Sequence, residues 1–369
     1  MIFDPYEALY IHIPFCKKRC AYCDFTTEAI DAQNPKIERY IDDLIMSVRN
    51  ASKNGLLASI KTVYLGGGTP SYIGNKQLSR LVYALSLFMH LTPEVECTLE
   101  ANPDSLTEAM VKDLFALGVT RLSLGVQSFD EKVLKTLGRI HSAEKAKQAI
   151  HLAQERFENV SVDLMCGIPG QTEESFLESL ETAVDLGVKH ISVYPLTIEE
   201  GTPFWNKLKD QTLNYDEDSG ADMMIAASRY LLSRGMHRYE VANYAFDGYE
   251  SKHNSAYWSA KPYLGLGRGA VSMKQNDELR IREQDNQEIE RLDKKQRTAE
   301  DLMLAMRMTQ GVSYEKLASA CKIIPQAKDV FIQLEQDGFV RDSGTAFCPT
   351  ENGWLFGNCM YGRILDLAP

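Results

Sequence analysis

The sequence predicts an α/β chain in which parallel strands alternate with helices, followed by a small module of helices and a hairpin. Strand-like and helix-like segments alternate at a steady beat over the first 200 residues. Each β–α step implies a right-handed crossover between parallel strands. Glycines close several of the helical patterns, as in Leu117-Gly118 and Leu186-Gly187, where only glycine takes the left-handed cap at no steric cost. The composition shifts after Gly201. The alternation fits an incomplete (β/α)6 TIM-like barrel or an open α/β sheet, with a doubly wound order as the rival on pattern alone.

In order, strands are expected at 9–13, 62–65, 95–101, 121–125, 161–165 and 190–196, short segments rich in apolar residues with polar ones interspersed. Amphipathic helices are expected between them at 36–52, 76–89, 107–117, 143–156 and 173–186. Residues 202–215 read as loop, and 216–234 as a long helix ending at Gly235. An aromatic and glycine-rich stretch over 253–273 then precedes a charged run at 277–297. The C-terminal part carries helical patterns at 298–308, 314–320 and 326–337, a hairpin at 339–349 and a helix at 352–365, which suggests a winged-helix-like α+β module. The division expected is 1–205 for the barrel core, 206–296 for an extension and 297–369 for the module.

Composition narrows the function classes. The 369 residues are 44% hydrophobic and 25% charged, enough apolar content for a large core and too much for a disordered chain. With 40 Lys and Arg against 51 Asp and Glu, the formal net charge is −11, so no global attraction to nucleic acid is expected. The apolar stretches fall short of a membrane span. The first residues, without a basic segment, do not read as a signal peptide. The cytoplasm is the compartment expected. Eight cysteines in such a chain do not suggest a disulfide framework. Cys97 and Cys166, inside strand patterns, read as small buried hydrophobes.

Three cysteines cluster in Cys16-Lys-Lys-Arg-Cys20-Ala-Tyr-Cys23, just after the first strand. A loop can fold three thiolates around one metal centre. Structural zinc takes four ligands, and no fourth Cys or His follows at finger spacing. A [4Fe–4S] cluster held by three thiolates leaves one iron open, a catalytic feature rather than a structural one. The spacing, with Tyr22 before the last cysteine, resembles the signature of the radical S-adenosylmethionine (SAM) superfamily. That resemblance implies a partial barrel with its site at the C-terminal ends of the strands. It also implies a cluster whose open iron is chelated by SAM and whose electron cleaves the SAM sulfonium. The triple glycine Gly66-Gly67-Gly68-Thr69-Pro70, which lets a backbone approach a ligand closely, is similar to the loop holding the SAM amino group.

The resemblance sharpens to the coproporphyrinogen dehydrogenase-like subfamily through LYIHIPFC, LEANP, LGVQSF, LGRIH and VDLMCGIPGQT. It implies SAM contacts at Tyr10, Tyr22, Gly67, Gly68, Thr69, Glu100, Gln127, Arg139 and Asp163. Within that subfamily, dehydrogenases carry a longer N-terminal extension and a fourth cysteine two residues after the triad. Here the first strand begins near residue 8 and Phe25 holds the fourth-cysteine position, as in the heme-chaperone line. The stretch His253-Asn254-Ser255-Ala256-Tyr257-Trp258 matches the H-N-x-x-Y-W motif that this line associates with heme, implying heme contacts at His253, Tyr257 and Trp258. Imidazole is a good iron ligand, and aromatic rings pack against a porphyrin face. One departure is Val271, in Gly265-Leu-Gly-Arg-Gly-Ala-Val271-Ser, where the chaperones usually carry histidine. An aliphatic residue there matches a SAM contact of the dehydrogenase line.

The leading expectation is therefore a heme chaperone carrying a [4Fe–4S] cluster, SAM and heme. Its expected partners are heme-accepting proteins, an electron donor for the cluster and a second copy of the chain. The alternatives are an oxygen-independent coproporphyrinogen III oxidase and a radical SAM methyltransferase.

Overall fold

The computed structural model describes residues 2–89, 91–92 and 94–369. Six strands, β1 (Ala8–Ile13), β2 (Thr62–Gly67), β3 (Glu96–Ala101), β4 (Arg121–Gln127), β5 (Asn159–Cys166) and β6 (His190–Pro195), lie side by side in chain order, each parallel to the next. That order decides between the two sequence-level rivals. A doubly wound sheet reverses direction at a switch point, whereas strands laid down in one direction put every right-handed crossover on one side. The helices α1 (Pro35–Lys53), α2 (Asn75–Met89), α3 (Glu108–Ala116), α4 (Glu131–Leu137), α5 (Ala143–Gln154) and α6 (Glu173–Asp185) connect successive strands. The result is the incomplete barrel.

Local chemistry sets the helix starts. Asn34, Thr107, Asp130, Ser142 and Thr172 each cap a helix with a side-chain oxygen accepting a backbone N–H. Alternate strand residues face opposite ways. Leu9, Ile11 and Ile13, with Val63, Leu65 and Leu99, belong to the large buried core. Their neighbours on the other face are polar. Tyr64, Glu100, Ser123, Asp163 and Ser192 line a lumen cavity of about 380 Å³. A TIM interior is ordinarily filled with branched apolar side chains; this one is hollow and polar, as a ligand site requires.

Both sheet edges are extended. Beyond β6 lies the antiparallel β7 (Asn243–Ala245). Beyond β1 lies the parallel β8 (Tyr263–Leu266), followed by the antiparallel β9 (Val271–Gln275), β10 (Leu279–Gln284) and β11 (Gln287–Asp293). The charged run at 277–297 is thus largely a hairpin, held by cross-strand pairs such as Arg282 with Glu290. The segment expected as loop over 202–215 contains α7 (Pro203–Lys209), whose start is fixed by the Thr202 cap and Pro203. A longer helix, α8 (Glu217–Ser233), follows, and α9 (Lys252–Trp258) precedes β8.

The C-terminal module has its own core, built on Leu302, Phe331, Leu334, Met360 and Ile364. Helices α10 (Lys294–Ala305), α11 (Tyr314–Cys321) and α12 (Ala327–Gln336) precede a hairpin of Val340–Asp342 with Ala346–Pro349. The single helix expected at 352–365 is two, α13 (Glu351–Leu355) and α14 (Gly357–Leu365), broken at Phe356. Arg280, fully buried on β10, pairs with Glu300 and Asp301 of α10 and ties the module to the sheet.

Candidate functional site

The cysteine loop leaves the C-terminal end of β1. Cys16 ends a two-residue strand paired with Glu28–Ala29, and the loop rests on two helices. The Ala21 N–H donates to Leu137 O of α4 at 3.2 Å, and the Phe204 N–H of α7 donates to Ala21 O at 3.0 Å. Burial pushes the Cys16 and Cys23 thiols up, so a metal that binds there must displace protons. Among the described residues no three His, Cys, Asp or Glu side chains converge on a single ion. A [4Fe–4S] cluster makes no such demand, since each thiolate goes to a different iron.

The glycine loop backs directly onto the cysteines. A Cβ on Gly68 would lie 2.8 Å from Phe15 O and 3.0 Å from Cys16 Sγ; one on Gly67, at φ +119, would lie 2.6 Å from the His12 ring. Gly68 is glycine because the two loops touch, and Gly67 because its positive φ and the β1 His12 ring against it leave no room for a Cβ. Thr69 Oγ1 lies 3.6 Å from Cys16 Sγ and accepts from Asn102 Nδ2 at 3.1 Å. Tyr10 stands behind this wall. Its hydroxyl donates to His12 Nδ1 at 2.9 Å, while His12 Nε2, 2.9 Å from Thr26 O, carries the proton because a carbonyl only accepts.

Arg139 joins the remaining strands to the loop. The short α4 ends at Gly138 in the left-handed conformation, and the Arg139 N–H returns to Leu134 O. The guanidinium then donates to Gly125 O at 2.5 Å, Asn102 Oδ1 at 2.8 Å and Cys20 Sγ at 3.6 Å. Its Nε is buried without a partner. A cation with an unused donor beside Cys20 suits an anionic cluster and a carboxylate ligand, so the residues present fit both groups.

In the lumen, Glu100 accepts from the Tyr64 hydroxyl at 2.7 Å and the Gly67 N–H at 3.1 Å. Burial, with a further push from Asp163, raises its carboxyl to about 7. Burial also pushes Asp163 up, although Ser123 Oγ donates to it at 3.3 Å. Gln127 sits at a register shift in β4 with φ +70, a conformation uncommon for a non-glycine residue, and faces the cavity. Tyr22 and Phe25 close the same cavity from the cysteine loop. Val271 opens β9 just beyond Gly269, whose Cβ position lies 3.5 Å from Thr26 Cγ2. Of the residues singled out for cluster and SAM, Tyr22, Glu100, Gln127 and Asp163 line the lumen cavity, and Gly68, Thr69 and Arg139 lie against the cysteine loop. The Gly67 N–H donates to Glu100, Tyr10 stacks on Tyr64, and Val271 stands apart at the start of β9. Sequence reasoning missed Asn102, which bridges Thr69 and Arg139, and His12, under Gly67. Asn102 lies within the LEANP segment and could have been found there.

The three residues singled out for heme divide. His253 is 1% exposed, with Nδ1 2.9 Å from Thr62 Oγ1 and Nε2 3.2 Å from the Tyr257 hydroxyl. It lies between the Tyr64 and Tyr257 rings at the N-terminal end of β2, away from the cysteines. Burial lowers it to about 3, so it is neutral, with both nitrogens engaged. This geometry supports a packing role for His253 in place of the axial ligation that the resemblance implies. Tyr257 and Trp258 instead line a cleft of about 820 Å³ beside β6.

A family model for the radical SAM superfamily matches residues 10–183, and one for the HemN C-terminal domain matches 292–356. The heme chaperone HemW of Bacillus subtilis is 33% identical over 97% of this chain and 99% of its own. The chain belongs to the HemW family. HemW of Escherichia coli is 36% identical over 73% of this chain and 71% of its own. The solved structure of coproporphyrinogen III oxidase, HemN, from E. coli superposes with a TM-score of 0.81, covering 98% of this chain and 90% of that one at 21% identity. That likeness establishes a common fold. It extends through the C-terminal module, which the HemW-family chain carries as residues matching the HemN C-terminal domain.

Proposed function

We propose that this chain is a heme chaperone that binds heme and passes it to acceptor hemoproteins, with a [4Fe–4S] cluster at Cys16, Cys20 and Cys23 and SAM in the barrel lumen. The observation that carries the reading is its near full-length relatedness to HemW. Phe25, at the position where a dehydrogenase would carry a fourth cysteine, supports it. When bound, the cluster supplies one-electron chemistry at its thiolate-free iron. The chain's own residues bind, orient and exclude water. Arg139 offers a cation to anionic groups beside Cys20, Thr69 and Asn102 fix the glycine loop, and Tyr22 and Phe25 cover the lumen. Glu100 and Asp163 present carboxyls toward SAM, as does Gln127 its amide. Tyr10 acts through His12 on the loop. Val271 supplies an aliphatic wall at the β9 start.

No helix among the described residues is long and apolar enough to cross a membrane. The reading takes the chain to be cytoplasmic, to form homodimers and to draw its electron from a reducing partner protein. The deciding experiment reconstitutes the chain anaerobically and measures two things separately. These are heme binding by absorption, and conversion of coproporphyrinogen III with SAM and a reductant. Heme binding without conversion is expected; robust decarboxylation with SAM consumption would overturn the reading in favour of the oxidase.

A further inference from the structure

The large cleft is separate from the SAM-facing lumen yet continuous with it, because Tyr194, Pro195, Thr197 and Asn254 line both. Its walls come from the end of β6, the first half of α8, the Tyr257–Trp258 end of α9 and Trp354 of α13. Two guanidinium groups face this mainly apolar space. Arg307 is stacked between aromatic rings, its Cζ 4.9 Å from the Trp258 centroid and 4.7 Å from that of Tyr361. Its Nε is buried without a partner among the described residues. Arg238 lies 5.2 Å from the Trp354 ring centroid and donates to the Tyr244 hydroxyl from Nε, at 2.8 Å, and from Nη2, which leaves Nη1 for a ligand.

None of the cleft's carboxylates forms an ion pair with these two cations among the described residues, although Arg238 is near enough to act on Glu240 electrostatically. Glu240 is occupied by Trp258 Nε1 at 2.6 Å and the Ala242 N–H at 3.3 Å, and burial pushes its carboxyl up. Glu351 pairs with Arg229 at 3.4 Å. Glu217 is exposed at the first turn of α8. Among the described residues, no carboxylate oxygen lies within 4.0 Å of Arg238 or Arg307. Cations stacked over aromatic rings, and balanced only in part by Glu240, are complementary to an external dianion. The adjoining aromatic walls are complementary to a planar apolar body.

We infer that this cleft is a tetrapyrrole seat in which Trp258, Trp354 and Tyr257 pack the macrocycle and Arg238 and Arg307 hold its two propionates, independently of His253. The inference rests on the heme-chaperone reading above and gives that activity a location. Heme placed there lies beside the SAM-facing lumen and is reached from it past Tyr194 and Asn254.

The test titrates hemin, and separately hemin dimethyl ester, into the anaerobically reconstituted chain and follows the heme absorption band. A guanidinium–carboxylate hydrogen bond contributes about 1.5–3 kcal/mol, so the unaltered chain is expected to prefer hemin to the ester by at least about tenfold. Arg238→Gln with Arg307→Gln should abolish the preference while iron and sulfide content stay unchanged. The ester comparison needs no variant, so it stands even if losing the Arg307 stack unsettles the fold. Equal binding of hemin and ester by the unaltered chain, or a preference that survives both substitutions, overturns the seat while leaving the chaperone reading in place. No binding of either porphyrin overturns both.

Discussion

Glu100 makes the lumen a pH-sensitive part of the fold in the cofactor-free chain. Its carboxyl titrates near 4.5 when exposed and at about 7 in the barrel, chiefly through burial. The folded state therefore holds a proton that the unfolded chain has released, so the unfolded state binds fewer protons between those values. Stability must fall as pH rises through that window and level off above about 7. The interval of roughly two and a half pH units corresponds to about 3 kcal/mol at 1.36 kcal/mol per unit. Lumen water reaches the group, so this is an upper figure. Glu100→Gln keeps both contacts. The amide oxygen accepts from the Gly67 N–H and the NH₂ donates to the Tyr64 oxygen. The assay is urea unfolding of the cofactor-free chain from pH 5 to 8. The variant's stability should decline less than the wild type's across this range, Asp163 being left as the other raised carboxyl. Parallel curves for the two proteins would refute the assignment of the slope to Glu100.

Four further outcomes are expected. Replacing Cys16, Cys20 and Cys23 together by alanine should abolish iron and sulfide incorporation on anaerobic reconstitution; iron content equal to wild type would sink the cluster assignment. Gly68→Ala should cost about 1–3 kcal/mol in the urea midpoint and lower cluster occupancy, because its new carbon meets Phe15 backbone and Cys16 Sγ. Gly362→Ala, with nothing within 4 Å and an ordinary helical conformation, is the control and should be neutral or stabilising. His253→Ala should lower stability by about 2–4 kcal/mol and leave the heme absorption maximum in place; a shifted band at unchanged stability would restore it as an axial ligand.

Much of the barrel was legible because each strand keeps apolar residues on the face packed against helices, and such short segments recur between amphipathic helices at regular intervals. The cysteine and glycine loops were legible for a related reason: both follow directly from strand ends, where a barrel places its site. Legibility failed where order depends on partners distant in sequence. Helix α4 has seven residues and lies between two segments singled out for other reasons, so its role in turning Arg139 back onto Cys20 had no periodic signal. The β10–β11 hairpin is stabilised by charge pairs and shows little apolar face: β11 is exposed at nearly every position. The hairpin's one alternating stretch, Leu279-Arg280-Ile281-Arg282, is short and set in a charged run, so the segment carries a charge signal in place of a strand signal.

His253 shows why a motif can place a segment correctly and leave the role of one member undetermined. The H-N-x-x-Y-W stretch does border a cleft suited to a macrocycle, through Tyr257 and Trp258. Helical spacing puts residues 253 and 257 on one face, so the tyrosine that reaches the cleft also closes over the histidine. Thr62, at the start of β2, takes the other ring nitrogen, and Glu96, at the start of β3, accepts the His253 N–H at 3.0 Å. These partners lie more than 150 residues away in the chain. With them, the imidazole joins α9 to the base of the barrel and so fixes where Tyr257 and Trp258 stand. Its influence on anything bound in the cleft is then exerted through position, and an uncharged hydrogen-bonding substitute of similar size should preserve more of it than alanine does.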